Sequence, residues 1–121
     1  MPKGRILCTE DDADTRDLII LTLQFAGYEV KCADSAAEAI DLLTKEKFAL
    51  CLLDNWLPGT SGVELCEKIR QFDANTPILF YSGAGYDADK ERALRAGAQG
   101  YLVKPVPADH LIGEVSRLLT N

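Results

Sequence analysis

Glu10, Asp11 and Asp12 form an acidic triplet directly behind the apolar run at residues 6–9, and Asp54 closes the apolar run at 48–53. Ser82 follows the run at 78–81, and Lys104 follows the run at 101–103. If each run is a strand of one parallel sheet, these side chains meet at one crevice. Carboxylates from two strands crowded together repel unless a hard cation neutralises them. Mg2+ suits that position, because it uses one or two protein carboxylates and fills the rest of its shell with water and phosphate oxygens. The triplet alone would read as a solvated helix start that favours the helix dipole. An aspartate closing a buried apolar strand is harder to dismiss. A carboxylate beside a metal can attack phosphorus and form an acyl phosphate. Such a transfer needs positive charge on the moving oxygens, which a metal and the mobile Lys104 ammonium can supply, and the Ser82 hydroxyl can donate a hydrogen bond there. Lys104 alone would be a surface lysine and Ser82 a turn residue; their coincidence at successive strand ends is what points to a site.

Periodicity supplies the strands and helices that hold these groups. After the first strand, Leu18, Ile19, Thr22, Leu23 and Ala26 recur at helical spacing, and Gly27 ends that helix. Residues 28–33 read as a second strand, and Ser35 with Glu38 forms a capping box for a helix with Ile40, Leu42 and Leu43 as core candidates. The near-continuous apolar run at 48–53 is the pattern of a strand covered on both faces. Pro58-Gly59 makes a turn, and Ser61 with Glu64 opens a helix carrying Val63, Leu65, Cys66 and Ile69. Asp87 or Asp89 is expected to cap the fourth helix, which Gly97 ends, and Pro107 to begin the fifth, with Leu111, Val115, Leu118 and Leu119 as its apolar stripe. Five alternations of strand and helix predict an α/β fold, a five-stranded parallel sheet with helices on both faces. Ligands then bind beyond the carboxyl ends of the strands, where strand order reverses.

The chain has 121 residues, 47% hydrophobic and 26% charged, which suits one domain over 1–121 with a substantial core and argues against disorder. Thirteen basic against nineteen acidic residues give a net charge of -6, unfavourable for direct binding to nucleic acid or an anionic membrane. Cys8, Cys32, Cys51 and Cys66 form no CxxC pair and read as free interior thiols of a reducing compartment. With no leader-like opening and no membrane-length apolar run, a cytoplasmic location is expected. His110, the single histidine, falls in the first turn of the last helix, which gives no support to a Ser-His-Asp hydrolase or a histidine phosphotransfer module.

Over essentially its full length the chain resembles the response-regulator receiver domains of bacterial two-component systems. The resemblance rests on Ile6-Leu-Cys-Thr-Glu-Asp-Asp12, Leu50-Cys-Leu-Leu-Asp-Asn-Trp-Leu-Pro-Gly-Thr-Ser-Gly62, Ile78-Leu-Phe-Tyr-Ser-Gly83 and Gly97-Ala-Gln-Gly-Tyr-Leu-Val-Lys-Pro105. It implies a flavodoxin-like (βα)5 fold with strand order 2-1-3-4-5. It implies Asp54 as phosphoacceptor, Asp11 as a direct Mg2+ ligand, Glu10 as a second acidic group acting through water, and the Trp56 carbonyl as a further ligand. Lys104 would pair with the phosphoryl group, with a cis bond to Pro105, while Ser82 and Tyr101 would change state on phosphorylation. Such a domain is a signalling switch, catalysing only its own phosphorylation and slow self-dephosphorylation. Its partners would be a sensor histidine kinase or histidine phosphotransfer protein, and a second copy or output partner at the face of helix 4, strand 5 and helix 5. Here Ser82 stands where Thr is frequent and Gly83 where Ala is frequent, which leaves that loop freer. Trp56 places a large ring near the acceptor, where it can hinder an attacking water. A haloacid-dehalogenase-like phosphatase also uses an Asp and Mg2+ at a strand end, but it needs a second Asp where this chain has Trp56. A flavin module would need a hydroxyl-rich phosphate loop where this chain has its acidic triplet.

Overall fold

The computed structural model describes residues 3–120. Strands β1 (Arg5–Thr9), β2 (Glu29–Ala33), β3 (Leu50–Leu53), β4 (Ile78–Ser82) and β5 (Gly100–Val103) alternate with helices α1 (Ala13–Phe25), α2 (Ala36–Lys45), α3 (Gly62–Phe72), α4 (Asp87–Ala96) and α5 (Ala108–Leu119). The five strands form one parallel sheet in the order β2-β1-β3-β4-β5. Order reverses between β1 and β3, so the crevice expected from the alternation opens beyond Thr9 and Leu53.

The apolar runs are continuous because successive side chains serve two different cores. Leu7, Cys51, Leu53, Ile78 and Phe80 point to one layer, packed against Ala39, Leu65, Ile69 and Ala93 of α2, α3 and α4. Ile6, Cys8, Leu50, Leu52, Leu79 and Tyr81 point to the other, packed against Ile19 and Leu23 of α1 and Leu111, Val115 and Leu118 of α5. Burying both faces leaves the polar strand ends as the place where charge can gather.

Local signals place most helix ends. The Ser35 and Ser61 hydroxyls accept from the N–H groups of Glu38 and Glu64 at 3.2 and 3.1 Å. Gly27 and Gly97 take left-handed φ values of 100° and 117° just past α1 and α4. Three expectations need correction. Tyr86, and neither Asp87 nor Asp89, is the cap residue of α4; Asp89 serves from inside the helix, its carboxylate accepting the Tyr86 N–H at 3.1 Å. Pro107 caps α5 from outside the helix. In α2 Ala39 is fully buried, and Ile40, Leu42 and Leu43 pack half-buried against the same core as expected. Leu18 is 64% exposed; Ile19 and Leu23 carry the buried face of α1.

Candidate functional site

The acidic triplet divides into three roles set by local geometry. Glu10 follows β1 and is 2% exposed, and one of its carboxylate oxygens accepts the Asp12 N–H at 3.2 Å. Asp12 caps α1, accepting the Thr15 N–H at 2.9 Å and the Thr15 hydroxyl at 2.6 Å, which holds its carboxyl below its ordinary range. Asp11, between them, is exposed. Capping thus takes Asp12 away from the crevice and leaves Glu10 and Asp11 to it.

Asp54 enters from the neighbouring strand, its N–H donating to the Thr9 carbonyl at 3.1 Å. It is 6% exposed, and its Oδ1 is buried without a hydrogen-bond partner. Carboxylate oxygens of Glu10, Asp11 and Asp54 lie within 4.8 Å of one another. Lys104 reaches in from the end of β5, its ammonium donating to Glu10 Oε1 at 2.5 Å and lying 3.4 Å from Asp54 Oδ2. Burial pushes the Glu10 carboxyl up and the Asp54 charge adds to this, against the opposing pull of Lys104. Burial would lower the Lys104 ammonium, but the hydrogen bond to Glu10 and the Asp54 charge outweigh it and hold it up. The Lys104-Pro105 bond is cis.

The donor set tests whether a hard cation fits. All three clustered groups offer carboxylate oxygen, with no thiolate or imidazole, and a buried acceptor without a donor is a costly feature unless something electropositive meets it. The residues fit a Mg2+-like ion.

The opposite rim is built from the end of β4. Ser82 is fully buried, its hydroxyl accepting the Ala84 N–H at 3.2 Å and its carbonyl accepting the Lys104 N–H at 2.8 Å. The Tyr101 hydroxyl donates to the Ala84 carbonyl at 2.6 Å. Tyr101 stacks on Phe80 with centroids 5.5 Å apart and planes 7° from parallel. The stack and the Ala84 carbonyl hold this ring half-buried at the end of β4.

Trp56 and Leu57 pair antiparallel with Thr60 and Ser61 around Pro58-Gly59, and the indole is 67% exposed at the rim. Two contributors escape the sequence reading. A Cβ on Gly62 would collide with the Asp54 carbonyl oxygen and fall 2.8 Å from the Phe80 ring, so glycine lets α3 start against the Asp54 backbone; the Gly62 N–H donates to the Asn55 carbonyl at 2.9 Å. Its signal is present in Thr60-Ser-Gly62 but only as a motif letter. Tyr81 lies under Lys104, with the ammonium 5.6 Å from its ring centroid, and no local pattern announces that contact.

Known proteins resemble this chain in sequence and fold. Residues 6–116 match the family described as the response regulator receiver domain. The regulatory protein VanR of Enterococcus faecium is 37% identical, over 95% of this chain and 49% of that protein. The phosphate regulon transcriptional regulatory protein PhoB of Pseudomonas aeruginosa is 33% identical, over 94% of this chain and 51% of that protein. The chain spans about half the length of these curated relatives. A solved structure of a CheY-like response regulator receiver domain protein from Methanospirillum hungatei superposes with a TM-score of 0.91 at 33% identity, covering 96% of this chain and 93% of that one.

Proposed function

We propose, on the premise that this chain belongs to the response regulator receiver domain family, that residues 1–121 act as one receiver domain and that Asp54 is its phosphoacceptor. One observation carries the assignment: a buried Asp54 oxygen without a partner, with Glu10 and Asp11 oxygens within 4.8 Å and the Lys104 ammonium 3.4 Å from the other Asp54 oxygen.

Asp54 attacks the phosphorus of a phosphohistidine on a sensor kinase or phosphotransfer protein. A P–O bond forms to the carboxylate, the P–N bond breaks, and the imidazole leaves with the electron pair. Glu10, Asp11 and Asp54, with the Trp56 carbonyl, would hold Mg2+, which supplies charge neutralisation for the phosphoryl oxygens when bound. Lys104 shifts from Glu10 toward the incoming phosphoryl oxygens as a point charge, and the Ser82 hydroxyl turns from Ala84 to donate to another of them. Losing the Ser82 contact frees Ala84, and with it the loop that the Tyr101 hydroxyl grips. The face of α4, β5 and α5 then changes for a second copy or an output partner. The haloacid-dehalogenase alternative gains nothing from the site, since an exposed indole stands where that chemistry needs its second aspartate.

Intact-mass measurement with acetyl phosphate and Mg2+ tests the assignment. One phosphoryl group should add, a chelator should abolish the addition, and Asp54→Asn should remain unlabelled. Undiminished labelling of Asp54→Asn, or labelling indifferent to the chelator, overturns it.

A further inference from the structure

Four cysteines lie in the sheet and its helices, all with free thiols, and two of them face each other. Cys8 of β1 and Cys32 of β2 are register partners on adjacent parallel strands. Both side chains project to the layer shared with α1 and α5. In-register residues on neighbouring strands sit about 4.8 Å apart, inside the roughly 4.4–6.8 Å span of Cα separations that a disulfide accepts. Cys8 is 1% exposed, but Cys32 is half-buried and stands on the edge strand of the sheet, within reach of small molecules.

We propose that Cys8 and Cys32 form an oxidisable pair that a hydroperoxide converts to a cross-strand disulfide and a dithiol reductant reopens. The Cys32 sulfur, as thiolate, takes one oxygen from the peroxide; the O–O bond breaks, and the departing hydroxide or alkoxide picks up a proton. The Cys8 sulfur then attacks the Cys32 sulfenic acid, an S–S bond replaces the S–O bond, and the hydroxyl leaves with the Cys8 proton as water. Two electrons pass from the thiols to the peroxide oxygen. For reopening, one dithiol sulfur attacks Cys32 and releases Cys8, and the second closes on the first and releases Cys32. Cys32 is the more exposed of the two sulfurs, which favours it as the one that meets the peroxide, with buried Cys8 closing the bond.

The other two thiols act as internal controls. Burial pushes Cys51 up to about 12 and Cys66 to about 11, and Cys66 is engaged with the Ala96 carbonyl at 3.5 Å. Neither is a register partner of another cysteine. This site uses no residue assigned to phosphoryl transfer, so its outcome is separate from that of the receiver reading.

The test treats the folded protein with hydrogen peroxide, then blocks thiols with iodoacetamide in denaturant and measures mass. The expected product is a monomer lighter by two hydrogen atoms before alkylation, with two of its four thiols protected, a linked peptide joining Cys8 to Cys32, and full recovery with dithiothreitol. Cys66→Ala should still close the bond, and Cys32→Ser should leave every remaining thiol alkylatable. Four alkylatable thiols after peroxide, a sulfinic acid accumulating on Cys32, or a disulfide joining two chains would each overturn the proposal.

Discussion

A carboxylate that is 6% exposed at the end of an apolar strand would normally be a defect, and Asp54 is tolerable because Lys104 stands 3.4 Å from one of its oxygens. The other oxygen remains buried and unpaired, so the site holds an acceptor in readiness for a positive partner. On the proposed assignment of Asp54 as phosphoacceptor, the rim sets how long a phosphoryl group stays once transferred. Hydrolysis of an aspartyl phosphate needs a water in line behind phosphorus, and a group to orient it. The indole at Trp56 carries no acceptor atom, and Ala84 on the opposite side offers no polar side chain. Phosphate on Asp54 should therefore decay several-fold more slowly in the wild type than in Trp56→Asn, followed by mass after the donor is removed. Equal or faster wild-type decay would show that the indole, which is 67% exposed, shields nothing.

Whole elements set the site by how closely their ends approach. Helix α3 begins at Gly62, where a methyl group would collide with the Asp54 carbonyl oxygen and the Phe80 ring. Gly62→Ala must move either α3 or the acceptor's backbone, so the variant should lose about 1–3 kcal/mol of stability in denaturant unfolding and accept phosphate more slowly. A stable variant with unchanged labelling would mean that the α3 start yields without disturbing Asp54. At its other end α3 gives way to Asp73, whose carboxylate accepts the Asn75 and Thr76 N–H groups, each at 3.0 Å, and the Thr76 hydroxyl at 2.5 Å, shaping the turn into β4. Partial burial works against ionisation there, but these bonds prevail and hold the Asp73 carboxyl below its ordinary range. A depressed folded value means that the contribution is complete above the unfolded aspartate value of about 3.9 and is lost as pH falls through the folded one. Asp73→Ala should thus be less stable by roughly 1–2 kcal/mol at neutral pH, with the gap to wild type flat above about pH 5 and narrowing in acid. A gap that persists unchanged at pH 2 would show that the protonated side chain holds the turn as well as the ionised one.

Across the molecule, Ser82 is where the acceptor rim and the α4, β5 and α5 face share a hydrogen-bond system, running from its hydroxyl to Ala84 and from Ala84 to Tyr101. Ser82→Ala should still take a phosphoryl group, because the proposed transfer runs through Asp54 and Lys104. It should, however, lose a hydrogen bond to a charged group worth about 1.5–3 kcal/mol, and phosphorylation-dependent amide shifts around Tyr101 should shrink. Shifts equal to those of the wild type would reduce Ser82 to a turn residue. Much of this is legible in the sequence, because it depends on neighbours in the chain. Alternating apolar runs identify strands packed on both faces, and Ser35 with Glu38 and Ser61 with Glu64 mark helix starts. A charged residue directly behind a run must sit at that strand's end. Those relations also place Glu10, Asp54, Ser82 and Lys104 at one crevice. Tertiary structure alone decides the rest, since it depends on register and approach between segments remote in the chain. Only there does Asp12 turn away as a cap while Asp11 stays free, Gly62 meet the Asp54 carbonyl, Tyr101 stack inward on Phe80, and Cys8 come to face Cys32. Periodicity tells a side chain which layer it joins; the pairing of β1 with β2 and β3 determines which neighbour it meets.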